Sequence, residues 1–224
     1  MSPRQPDPER AQEIERQIGE AARDLLAEGG IAGLSMRLVA ERVGLSATAI
    51  YHYFENKDGL VRRVVEDAFR QFGEYLARAA APFPKGSLDR VQALGEAYIR
   101  FASEHTAYFR VLFSIQRDDP RALEDIPHEG GYGQLRDAVA AAIATGELRN
   151  ANPDLLALYC WSVAHGVMTI ALACRLDACA GMSTRVPTEP LEVFRSFRSF
   201  VRDGIAAASD VPVGVAGDRK ESEL

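Results

Sequence analysis

The chain has 224 residues, 47% hydrophobic and 26% charged, and carries a formal net charge of −6 with three cysteines. That length allows one large or two small domains around a buried core, and the acidic balance does not by itself suggest a nucleic-acid binder. Cys160, Cys174 and Cys179 are odd in number and lack paired-thiol spacing, and His52, His105, His128 and His165 fit no metal-ligand spacing, so a disulfide scaffold, a metal site and a cofactor are not expected.

Strand-like alternation is scarce, and Ala, Leu, Arg and Glu dominate, which predicts an all-α protein. The cysteine pattern points to a reduced, cytoplasmic chain, and the opening decapeptide MSPRQPDPER lacks the apolar centre of a signal peptide. The first helix is expected over 8–28, capped by Asp7, with Pro8 in its first turn. Its inward stripe is Ile14, Ile18, Ala21, Ala22, Leu25 and Leu26, and Gly29-Gly30 ends it.

Two short helices follow within residues 34–60, joined by the turn Gly44-Leu45-Ser46. Ser35 and Ser46 each precede an apolar-periodic run, where a hydroxyl can accept from an unpaired first-turn N–H. Leu34 with Val39, and Leu45 with Ile50, have the spacing of hydrophobic staples. Gly44 stands where a left-handed residue is wanted. On the second short helix Ile50 and Phe54 face inward, while Thr48, Tyr51, His52 and Glu55 share the opposite face. An exposed aromatic and an imidazole on so short a helix need a partner. This is the build of a helix-turn-helix that lays a recognition helix in a DNA major groove. Arg37 and Lys57 stand in the first turns of helices, where cations are disfavoured unless each end meets a phosphate. Residues 1–63 hold 9 Lys and Arg against 10 Asp and Glu, so attraction to DNA must come from local placement of Arg4, Arg10, Arg37, Lys57, Arg62 and Arg63.

The remaining pattern is helical to near the end. Helices are predicted over 57–81, stopping before Pro82 and Pro84, and over 87–105, 106–115, 132–148, 153–180 and 187–208. Residues 116–131 read as a loop and 209–224 as a disordered tail. Residues 155–174 carry no full charge over a length that could span a bilayer. Ser162, His165 and Thr169 form a polar stripe there and no second span exists, so a helix covered on every side is the expectation, with no membrane partner.

The stretch from about 10 to 65, with Gly44-Leu45-Ser46, then Ile50-Tyr51 and Tyr53-Phe54, then Asn56-Lys57 and Leu60, resembles the DNA-binding domain of TetR-family transcriptional regulators. The resemblance implies that Ala47, Thr48 and His52 approach base edges and that Tyr51, Tyr53 and Lys57 contact phosphate, beside Ser35, Arg37 and Ser46. Ala49, where the family often has Thr, and Gly59, which weakens a first turn by about 1 kcal/mol against Ala, depart from the pattern. Residues 85–208 resemble the family's ligand-binding domain, and Trp161 with His165-Gly166 resembles the signature of its WHG subgroup. Trp161 and His165 can stack one turn apart. They either pack the core or line an apolar pocket with Tyr98, Phe101, His105, Tyr108, Phe109, Phe113 and Met168.

The resemblance implies a DNA-binding domain over 1–60 and a helical ligand-binding and dimerisation domain over 61–208. The protein would be a homodimeric repressor on double-stranded, palindromic operator DNA, released by a small apolar effector. Helices 153–180 and 187–208 would pair into a four-helix bundle. Two other readings stay open: a DNA-binding dimer that answers to no ligand, and a small α-helical enzyme using His105 or His165. No nucleophile–base–acid spacing supports the enzyme, so no catalytic residue is assigned.

Overall fold

The computed structural model describes residues 8–113, 131–173 and 187–197. Regular structure among them is helical: α1 (Pro8–Gly33), α2 (Met36–Val43), α3 (Ala47–Ile50), α4 (Lys57–Ala80), α5 (Leu88–Glu104), α6 (Thr106–Phe113), α7 (Tyr132–Ala144), α8 (Pro153–Ala173) and α9 (Pro190–Ser196).

The caps that start these helices are the ones the sequence offers. Ser35, Ser46, Asn56 and Ser87 hold extended backbone, and their side-chain oxygens accept from Leu38, Ala49, Gly59 and Arg90 N–H respectively. Each such cap stabilises its helix by about 1 kcal/mol. Gly44 ends α2 at φ 70°, in the left-handed region that a Cβ would strain.

Three boundaries among the described residues differ from the expected ones by more than one residue. The first helix does not finish at 28: Gly30, at φ 63° and ψ −164°, breaks the spiral, and a short continuation runs to Gly33. The seventh stops at Ala144 rather than 148, because Gly146 turns the chain at φ 81° and Leu148 folds back to bond Ala142 O at 3.0 Å. The ninth starts at Pro190 rather than 187, since Glu189 is extended and proline suits the first helical position. Asp7, residues 114–130, 174–180 and 198–208, and the tail lie outside the described residues.

The stripe Ile18, Ala21, Ala22, Leu25 and Leu26 is buried in one core with Val39, Ile50 and Leu60, and that core runs on without a gap to Val193. α4 leaves the helix-turn-helix and packs along α5, while α6 lies against both α1 and α4. α5 is central, touching α4, α6, α7, α8 and α9.

α8 is, by length and composition, apolar enough to cross a bilayer, with mean hydropathy 1.7. It is not covered on every side within one chain. Leu156, Ala157, Ala164, Val167 and Met168 are buried, whereas Leu155, Leu158 and Tyr159 face out, Leu155 being 66% exposed.

Candidate DNA-reading face and adjoining cavity

α3 is one tight turn, Ala47–Ile50, prolonged to Phe54 by backbone bonds from His52 to Ala49, Tyr53 to Ile50 and Phe54 to Ile50. Ile50 and Phe54 are buried and anchor it from beneath. The opposite side is open: Ala47, Thr48, His52 and Glu55 are exposed, and Tyr51 is 54% exposed. Tyr53 is half-buried and packs against the core.

The cations are more committed than their positions suggest. Lys57 Nζ donates to Ile31 O at 2.6 Å, closing the carbonyl end that the Gly30 break leaves open. An ammonium has three donors, so two remain for a phosphate. Arg37 lies 3.4 Å from Glu41 and stays largely exposed. Arg63 pairs with Glu15 and Asp67, and Arg42 joins Glu28 of α1 at 3.3 Å. Arg10 and Arg62 are exposed, and Arg4 lies outside the described residues.

Behind this face, rings from α4, α5, α6 and α8 form a connected cluster. Phe72, Tyr98, Phe109 and Phe113 meet edge-on or tilted at 4.9–6.0 Å, and Trp161 stands 5.5 Å from His165. Tyr98 Oη and His165 Nδ1 are 2.7 Å apart. Burial pushes the Tyr98 phenol well above its ordinary value, a bond from the Trp161 side chain working the other way. Burial also lowers the pKa of His165, favouring its neutral form. Tyr98 and His165 thus hold one another through Nδ1, the phenol donating in the tautomer that carries the ring proton on Nε2.

His165 borders a cavity of about 480 Å³. α6 supplies Phe109, Arg110 and Phe113, α8 supplies His165, Thr169, Leu172 and Ala173, and α1 supplies Leu26, Ala27, Glu28 and Gly30. Of the residues expected to line a pocket, Phe109, Phe113 and His165 border this cavity. Tyr98, Phe101 and Met168 are buried core, Trp161 stacks behind His165, and His105 rests on Phe101 at 5.1 Å.

Tyr108, also expected to line a pocket, is instead a joint between helices, a role the sequence did not flag. Gln71 of α4 donates to its hydroxyl at 2.6 Å, and the Arg23 guanidinium of α1 sits 4.7 Å over its ring. Arg23 adjoins the inward stripe of the first helix, which is the one signal that could have singled it out.

A capped helix-turn-helix thus stands on a second helical unit, with a cavity between α1 of the first and α6 and α8 of the second. Residues 18–64 match the tetR family of bacterial regulatory proteins, and residues 91–192 match a tetracycline repressor-like C-terminal domain. An HTH-type transcriptional regulator of Mycobacterium tuberculosis, Rv1816, is 31% identical over 144 residues, 62% of this chain and 61% of that protein. The HTH-type regulator BetI of Burkholderia thailandensis is 27% identical over 65% of this chain and 78% of its own length. Among solved structures, a protein from Rhodococcus sp. RHA1 shares the fold at TM-score 0.70 and 23% identity, over 86% of this chain and 95% of that one. The regulator FadR from Bacillus subtilis, in complex with stearoyl-CoA, does so at 0.68 and 16%, over 85% and 98%. The chain belongs to the TetR family of bacterial regulatory proteins.

Proposed function

We propose that this chain is a cytoplasmic, homodimeric transcriptional regulator that binds a palindromic operator and is released by a small apolar ligand, acting as a repressor. The observation that carries the reading is the outward Ala47, Thr48, Tyr51 and His52 on a turn pinned from behind by Ile50 and Phe54. Such a surface fits a major groove, with Ser35, Arg37, Ser46, Tyr53 and Lys57 placed for the flanking backbone. In this reading residues 1–60 form the DNA-reading unit and 61–208 the ligand-binding and pairing unit.

Support for a second copy comes from α8. Its open stripe of Leu155, Leu158 and Tyr159 continues past Gly166, and Phe197 beyond α9 is also exposed. α9 beside α8, met by the same pair from a partner, would cover that stripe in an isologous bundle. Support for a ligand comes from the cavity and from the bound stearoyl-CoA of the Bacillus subtilis regulator.

Selection from a random DNA pool by the full chain tests the reading. Enrichment of a two-fold symmetric site, with sedimentation at twice the chain mass, is expected. A pool that returns unenriched, or a chain that stays single, would sink it.

A further inference from the structure

We propose that the cavity between α1, α6 and α8 is a binding site for an apolar carboxylate, and that its occupant bears on the DNA-reading unit directly through the end of α1. This rests on the regulator reading above.

The volume of about 480 Å³ lies in the range of ordinary ligand pockets. Leu26, Phe109, Phe113 and Leu172 make the walls apolar. The polar groups facing it are mostly donors. His165 has Nδ1 taken by Tyr98, which leaves Nε2 for a ligand, and Nε2 donates when the phenol is the donor in that pair. Arg110 is exposed at the rim and makes no ion pair among the described residues. Glu28 is the one carboxylate on the wall, and Arg42 already holds both its oxygens at 3.3 Å. A ligand that brings two acceptor oxygens and negative charge on a greasy body answers this set; an amine does not.

The mechanical route is short. Gly30 lines the cavity, and its neighbour Ile31 gives its carbonyl to Lys57. Lys57 opens α4 directly after the α3 segment ending at Phe54. An occupant that displaces the backbone at Gly30 therefore disturbs the bond that seats the reading turn. Coupling need not travel the length of α4.

The test uses 8-anilinonaphthalene-1-sulfonate as a fluorescent probe of the full chain, displaced by decanoate, decanol or decylammonium. Decanoate should displace it about tenfold better than the other two, and Arg110→Glu should remove that preference while decanol competes as before. Ala27→Trp, which fills the cavity from α1, should abolish the fluorescence rise with helicity by circular dichroism unchanged. Thr169→Trp fills it from α8 should the first variant fail to fold. Undiminished probe binding in a folded Trp variant, or equal displacement by all three compounds, would overturn the proposal. The same preparations go through the DNA selection. An enriched operator without carboxylate preference removes this inference alone, whereas an unenriched pool removes the regulator reading whatever the probe does.

Discussion

At Lys57 two demands meet on one ammonium: a backbone carbonyl at the broken end of α1, and the phosphate that a helix N-terminus invites. Lys57→Ala should therefore do two things at once. It should lower unfolding free energy by about 1–2 kcal/mol, because a charge-assisted bond to a half-buried carbonyl is lost. It should also weaken binding to all DNA sequences alike and reduce the salt slope by about one. Denaturant titration reads the first and binding at several salt concentrations the second. Thr48→Ala and His52→Ala touch nothing beneath them, so stability should hold while repeated DNA selection returns an altered site.

His165 offers a second test at the same scale. Its folded pKa lies below the ordinary 6.5 because burial disfavours the imidazolium. The unfolded chain thus binds the proton more readily, and the stability linked to this residue is full above pH 6.5 and fades as pH falls through the folded value. His165→Gln should flatten that acid limb in thermal scans taken between neutral and mildly acidic pH.

The elements divide sharply by whether their causes are local. α2, the Gly44 turn and α3 were legible because each depends on a cap, an αL glycine and two inward apolar residues within a few positions of one another. The break at Gly30 was legible as a stop, but not the turn that resumes after it. The bond from Lys57 to Ile31, and the seat of Tyr108 between Gln71 and Arg23, join residues far apart in the chain, and no periodicity encodes them. The cavity escaped for the same reason: aromatic residues were gathered by type, whereas its wall is completed by Leu26, Ala27 and Gly30 of the first helix.

α8 yields a prediction of its own. Gly166 lies on the outward stripe, and a Cβ there would meet nothing within 4 Å among the described residues. Within one chain Gly166→Leu is then harmless, and replacing a mid-helix glycine even favours the helix by about 1 kcal/mol. Against a partner helix the added bulk forces the axes apart. The variant should keep or raise its melting temperature at low concentration, and sedimentation should show single chains where the wild type is expected to pair.

For the whole molecule, net charge and the crowded ion pairs set the terms of any encounter with DNA. Arg37, Arg42 and Arg63 are each matched by an acidic neighbour, so long-range attraction is weak. Affinity for random DNA should be modest and should fall steeply between low and physiological salt, while a selected operator keeps a large margin over it. Fluorescence anisotropy on both duplexes across a salt series measures that margin.

The greasy outer strip of α8 carries a demographic consequence. A segment that could pass for a bilayer span, left bare unless the proposed twin covers it, is what proteases and chaperones inspect first. Each copy's survival would then depend on how many siblings are being made, so a culture that expresses the gene sparsely should turn the protein over faster.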